Sequence, residues 1–163
     1  MKFGFRHALL VFLGLNFSAA DAQMVKVFKF DELTKRRYHA HDSIVVINIW
    51  ATWCKPCVEE LPGFLKLEQE FENKRVRFVY LSIDFKRELE TKLLPFLRKN
   101  QISSEVILLD EPDYNSWIDK IDPSWQGSIP ATLITDAKAG KQLFHEGELT
   151  YEELKSMINP LLP

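Results

Sequence analysis

Residues 44–62 read Ile44-Val45-Val46-Ile47-Asn48-Ile49-Trp50-Ala51-Thr52-Trp53-Cys54-Lys55-Pro56-Cys57-Val58-Glu59-Glu60-Leu61-Pro62, and the fold is decided by this stretch. Its first half is an apolar, β-branched run of the kind that fills a strand buried on both faces. After the cysteines the pattern changes, and Leu61, Phe64, Leu65, Leu67 and Phe71 return at near-helical spacing. The two cysteines therefore stand where a buried strand hands over to a helix N-terminus.

That position has chemical consequences. A helix N-terminus presents backbone N–H groups without intrahelical acceptors and the positive end of the macrodipole, so a sulfur held there is favoured as a thiolate. Cys54 is the sulfur so placed, and it is expected to be exposed and acidic. Pro56 suits the start of the helix because no N–H donor is needed there and its φ is already helical. Cys57 follows about one turn later, close enough for its sulfur to attack a mixed disulfide formed on Cys54. Lys55, between the two, adds a positive charge that favours the Cys54 thiolate, with a modest effect because it points to solvent.

The run Trp50-Ala51-Thr52-Trp53-Cys54-Lys55-Pro56-Cys57, followed by Glu60-Leu61-Pro62, resembles thioredoxin-like proteins of the TlpA/ResA type, which are extracytoplasmic thiol-disulfide oxidoreductases. A bare CxxC would carry little weight. The WxxWCxPC core is specific, and the likeness extends over nearly all of the chain after its leader. The resemblance implies an α/β, thioredoxin-like fold: a central mixed β-sheet flanked by helices, with an N-terminal strand and an extra strand-helix insertion over roughly Lys86 to Trp125. It implies a redox-active Cys54–Cys57 pair, reduction as the physiological direction, a membrane thiol carrier as electron donor, and substrates such as apocytochrome c or other disulfide-bonded exported proteins. Neither an organic cofactor nor a metal is needed. The resemblance also places a cis-proline, Pro130 in Gly127-Ser128-Ile129-Pro130-Ala131-Thr132, across from the cysteines. There the backbone of Ile129 would pair with an extended substrate segment, a form of strand addition. Trp53 would flank Cys54 as a flat apolar contact for that segment, with Trp50 in the core beneath.

Proton handling needs a second group. Many thioredoxins carry a buried Asp six residues before the first cysteine, but here that position is Asn48, which does not titrate. Glu60 lies one turn after Cys57 and matches the glutamate before the hydrophobe-Pro pair of ResA-type proteins. Partial burial would raise its pKa and let it exchange a proton with the Cys57 thiol. The plainer alternative is a surface helix glutamate like Glu59.

The rest of the chain sets limits. Its 163 residues, 46% hydrophobic and 27% charged, fit one domain with a buried core. A net charge of −2 leaves no basic excess for nucleic acid, and Lys35-Arg36-Arg37 reads as solvated surface. Lys2, Arg6 and His7 precede the apolar run Ala8 to Leu15 and small residues around Ala19 to Ala22, which reads as a signal peptide over residues 1–22. An uncleaved anchor is the rival reading, although the run is shorter than the roughly 20 residues of a spanning helix. Residues 23–163 are then the thioredoxin-like domain, expected to be a monomer in the periplasm or another extracytoplasmic compartment. Two cysteines, both in the motif, suit an oxidising compartment. Zinc would require a further Cys or His pair, which His39, His41 and His145 do not offer beside the motif.

Periodicity predicts a strand over Val25 to Phe30, a short helix from Asp31 as cap through Arg37, the central strand, and a helix kinked at Pro62 that closes at Asn73-Lys74. Strands follow at Val76 to Ile83, Val106 to Leu109 and Ala131 to Thr135, the last paired with Leu143 to His145 through a turn. Pro95 either kinks one helix over Lys86 to Asn100 or begins a second, and Tyr114 to Ile121 reads as a short helix. Thr150-Tyr151-Glu152-Glu153 is a capping box that opens the last helix. Trp117 and Trp125 are expected to pack in the core or at its rim. Other functions on these residues remain open: a disulfide oxidase or isomerase, or a non-catalytic peptide-binding or chaperone module. A peroxidase lacks support because the peroxiredoxin-type Thr-x-x-Cys is missing, Thr52 lying only two residues before Cys54.

Overall fold

The computed structural model describes residues 25–37 and 44–162. The expected signal segment and the pair His39 and His41 lie outside the described residues. Among the described residues, six strands form one sheet in the spatial order β1-β4-β3-β2-β5-β6. They are β1 (Lys26–Phe28), β2 (Ile44–Trp50), β3 (Val76–Ser82), β4 (Val106–Leu109), β5 (Ala131–Asp136) and β6 (Lys141–Glu146). The helices are α1 (Phe30–Arg37), α2 (Lys55–Glu70), α3 (Leu94–Lys99), α4 (Ile118–Ile121) and α5 (Tyr151–Ile158).

The first four strands in space are parallel, β5 pairs antiparallel with β2, and β6 pairs antiparallel with β5 at the edge, which makes the sheet mixed as expected. β2 is central, and all seven of its residues are buried, including the polar Asn48. An isolated polar side chain in such a strand has to find partners or lose free energy. Parallel pairing of β2 with β3 requires a crossover, and α2 supplies it. α2 packs Leu61, Phe64 and Leu67 into the core and runs through Pro62, which has no N–H to offer the Val58 carbonyl one turn back.

Several boundaries differ from expectation: β3 ends at Ser82, one residue early, and β5 at Asp136, one residue late. β1 stops at Phe28, and Phe30 turns inward as the first residue of α1, 5% exposed. The cap of α1 is Lys29, not Asp31: its carbonyl accepts from Glu32 and Leu33 N–H, and the Glu32 carboxylate accepts from Lys29 N–H. Asp31 instead lies in the first turn, where a negative charge suits the macrodipole. α2 ends at Glu70, with Phe71 as its C-cap.

The segment after β3 resolves the role of Pro95. A 3-10 turn (Lys86–Glu88) and a π-helical turn (Leu89–Leu93) lead directly into α3, and Pro95 occupies its first turn, where a missing N–H costs little. Tyr114 to Ile121 divides into a 3-10 turn (Tyr114–Ser116) and the single turn of α4. Trp117 and Trp125 are core residues, 1% and 4% exposed, and they join Phe30, Tyr114 and Phe144 in one aromatic cluster. The capping box at Thr150 is present, with Thr150 Oγ1 accepting from Glu153 N–H and the Glu153 carboxylate accepting from Thr150 N–H.

Candidate active site

Cys54 is the N-cap of α2, and its side chain is the capping group: Cys57 N–H points at Cys54 Sγ at 3.3 Å. Sulfur here takes the place usually held by a serine or aspartate oxygen. A negative charge on Sγ would face both this N–H and the positive end of a 16-residue helix. The two sulfurs are bonded to each other, with Cα atoms 5.3 Å apart. Cys57 is fully buried and Cys54 is 6% exposed. The expectation of an openly exposed first sulfur is corrected to a narrow window, because its bond to Cys57 and the Ile129 carbonyl, 3.7 Å from Sγ, cover most of it. In the disulfide that approach is a contact; in the thiol the same carbonyl can accept S–H.

Trp53, beside this window, is 54% exposed. Lys55 is on the surface and its Nζ lies 3.5 Å from Glu59 Oε1, an exposed pair that weakens its field at the sulfur. Pro56 lies in the first turn of α2.

The loop before Cys54 is held by a group that the sequence reading passed over. Asp84, just beyond β3 and 2% exposed, accepts from Thr52 Oγ1 at 2.6 Å, from Thr52 N–H at 3.1 Å, and from Ser82 Oγ at 2.8 Å. The buried carboxylate thus ties the turn Ala51–Trp53 to the neighbouring strand. Its sequence signal was an acid directly after an apolar strand, in Leu81-Ser82-Ile83-Asp84.

Across the site, the bond between Ile129 and Pro130 is cis. The loop that delivers it is fastened on both sides. Trp125 Nε1 donates to Ser128 O at 2.8 Å, and the Glu146 carboxylate accepts from Gln126 N–H at 3.0 Å and Ser128 N–H at 2.8 Å. Gly127 has φ of +92°, a conformation that favours glycine, so the loop can present those two N–H groups to one carboxylate. Trp125 and Glu146 were also missed as site residues.

Glu60 is not a surface glutamate. It is 4% exposed, and each carboxylate oxygen has a donor: Asn48 Nδ2 at 2.7 Å from Oε1 and Leu149 N–H at 2.9 Å from Oε2. Burial raises its pKa to about 7, against the opposing effect of those two donors, and the negative charge of Glu148 adds to the rise. A carboxyl so poised is divided between acid and base near neutrality. Among the described residues there is no cluster of three His, Cys, Asp or Glu side chains that could hold a metal ion.

A model of the AhpC/TSA family matches residues 16–140. The chain belongs to the AhpC/TSA family. The thioredoxin-like protein YneN of Bacillus subtilis (strain 168) is 30% identical over 115 residues, covering 71% of this chain and 63% of YneN. The chain therefore spans less than two thirds of that relative's length. The thiol-disulfide oxidoreductase ResA of Oceanobacillus iheyensis is 26% identical over 147 residues, covering 90% of this chain and 72% of ResA. A thiol:disulfide interchange protein of the thioredoxin family from Chlorobium tepidum TLS superposes with a TM-score of 0.62 at 18% identity, covering 76% of this chain and 83% of that one. At that identity the likeness concerns the fold, and the fold is thioredoxin-like.

Proposed function

We propose that the protein is a thiol-disulfide oxidoreductase that reduces disulfides of exported proteins, with Cys54 as nucleophile, Cys57 as resolving cysteine and Glu60 as proton carrier. The observation that carries this reading is the Cys54–Cys57 bond at the head of α2, with Cys57 N–H directed at Cys54 Sγ. Two relatives that bear the names of a thioredoxin-like protein and a thiol-disulfide oxidoreductase support it.

In the reduced protein the Cys54 thiolate attacks one sulfur of a substrate disulfide. One S–S bond forms, one breaks, and the first substrate sulfur leaves as a thiolate that takes a proton from water. The Glu60 carboxylate then accepts the Cys57 proton, and the Cys57 thiolate attacks Cys54 Sγ. The mixed disulfide breaks, the second substrate thiolate leaves, and the Cys54–Cys57 disulfide closes. Two electrons have passed to the substrate, and a membrane thiol carrier would return them. The substrate backbone would lie along Ile129 and Pro130, with Trp53 as an apolar contact.

The reading includes export through a signal at residues 1–22, a thioredoxin-like domain over residues 23–163 acting as a monomer outside the cytoplasm, and no resident cofactor. No described helix is long and apolar enough to cross a membrane. The decisive experiment combines trapping with a potential. A Cys57→Ser variant should accumulate mixed disulfides with exported proteins, and the wild-type potential in glutathione buffers should lie near the thioredoxin value of about −270 mV. A value near about −120 mV would make the protein an oxidant. Peroxide consumption without any trapped protein would replace disulfide exchange with peroxidase chemistry.

A further inference from the structure

At the end of the sheet that carries Cys54, β2 and β3 leave side by side. Their parallel register pairs Trp50 with Ser82. Carried two positions further, that offset sets Thr52 beside Asp84, and the bonds of Thr52 N–H and Oγ1 to the Asp84 carboxylate show that it holds there. The next residues are Trp53 on one segment and Phe85 on the other. Both are exposed, at 54% and 45%, and Leu143 on β6 is the one other large apolar side chain so exposed among the described residues. Two of three such side chains therefore stand where the chain turns past the reactive sulfur, and apolar surface gathered in one place marks contact with another molecule.

Charge gives that surface a preference. The Arg87 guanidinium lies over the Phe85 ring, its central carbon 4.6 Å from the ring centroid. The neighbouring lysines are engaged, Lys29 and Lys86 with Asp110 and Lys55 with Glu59. Glu88, next in sequence to Arg87, is paired with Lys92 at 2.8 Å. Arg87 has no carboxylate partner among the described residues. Stacking on the ring holds the guanidinium in place without using its N–H donors, which stay open to a carboxylate from another molecule.

We propose that Phe85 and Arg87 are specificity-determining residues for the protein substrate, which presents an apolar side chain to Trp53 and Phe85 and an acidic side chain to Arg87, both close in sequence to its reacting cysteine. The proposal rests on thiol-disulfide exchange at Cys54. β5 and β3 flank β2 on opposite sides, so Ile129 and Pro130 lie on one side of the Cys54 window and Phe85 and Arg87 on the other. A substrate chain that enters along Ile129 and Pro130 crosses the window at its disulfide, and the residues beyond that disulfide reach Phe85. Burial of the apolar side chain supplies affinity, and the guanidinium selects: a basic segment would set its own charge against Arg87.

The test measures the second-order rate of the reduced protein with three disulfides. One is hydroxyethyl disulfide; the others are two peptides whose single cysteine is disulfide-linked to mercaptoethanol and followed by Leu and then by a pair of Glu or a pair of Lys. Wild type should prefer the acidic to the basic peptide by about fivefold in about 20 mM salt, and the gap should close in about 0.5 M salt. Arg87→Gln should abolish that preference, and Arg87→Lys should keep most of it. Phe85→Ser should slow both peptides by about tenfold relative to hydroxyethyl disulfide, and Phe85→Leu should restore the ratio. Equal rates for the two peptides in wild type, a preference that survives Arg87→Gln, or a Phe85→Ser protein that slows all three disulfides alike overturns the proposal while exchange at Cys54 stands. Failure of the wild type to react with any of the three rejects exchange at Cys54, and this specificity site with it.

Discussion

Glu60 Oε2 accepts the main-chain N–H of Leu149 at 2.9 Å, across 89 positions of sequence. The bond ties the helix that carries the cysteines to the segment entering α5, and it places a buried carboxyl where a change of its proton is felt by both.

The first expected outcome concerns stability. The Glu60 pKa is raised from 4.5 in an ordinary setting to about 7 in the fold. Between these values the folded protein holds a proton that the unfolded chain has released, so this contribution is complete below about pH 4.5 and fades as pH rises through about 7. At 1.36 kcal/mol per unit the span is roughly 3 kcal/mol. Urea unfolding of the oxidised protein between about pH 4 and 8 should show wild type losing about that much relative to Glu60→Gln. Parallel curves for the two proteins would mean that folding leaves the Glu60 pKa where it is in the unfolded chain.

Glu60→Gln should also slow the second chemical step. On the proposed role of Glu60 as base for Cys57, release of substrate from the mixed disulfide is expected to fall by about 100-fold at pH 7. The initial attack by Cys54 should stay within a factor of about 3, since Cys54 is activated by the helix N-terminus. Stopped-flow traces that separate the two phases read this directly, and equal slowing of both would assign Glu60 a general structural role.

Asp84 and Thr52 make a third case. Asp84→Ala would leave Thr52 N–H, Thr52 Oγ1 and Ser82 Oγ without their acceptor. The expected cost is about 2 kcal/mol, with a slower Cys54 attack because the turn that precedes the N-cap is released. Thr52→Val, which removes one of the three bonds, should cost about 1 kcal/mol. Denaturant midpoints and alkylation rates of reduced Cys54 check both.

Trp125→Phe isolates the loop anchor. The ring packing against Trp117 and Phe144 is largely kept, while the Nε1 bond to Ser128 O is lost. A higher KM for a protein disulfide is expected, by about fivefold, with kcat and the Cys54 titration unchanged. A change in kcat alone would show that this loop does not position substrate.

How much of this could be read in advance depended on the range of the interaction. The strand-to-helix handover at Cys54 is local: β-branching, Pro56 and helical spacing settle it within a few residues, and Thr150 with Glu153 is a similar case. Pro95 was ambiguous because its tolerance depends on whether a helix starts there, and the π-helical turn before it has no pattern in the sequence. Lys29 displaced Asp31 as cap because Phe30 buries its ring, and burial outweighs the preference of a capping residue. Asp84 reaches Thr52 across 32 positions, Glu146 reaches Ser128 across 18 and Trp125 reaches Ser128 across 3, and only the fold brings each to its place. Burial of Glu60 was foreseen as a condition for its role; that Asn48, which replaces the usual titrating group, would be its hydrogen-bond donor was not.

The central claim is that Cys54 is an activated thiolate held by the α2 N-terminus with Cys57 in reserve. Alkylation of the reduced protein by iodoacetamide across pH, with each cysteine followed by mass mapping, tests it most directly. Cys54 should react first, with a midpoint well below the value of about 8.5 for a free thiol, while Cys57 stays protected. A Cys54 midpoint at or above that of free cysteine, or Cys57 reacting first, would contradict the account.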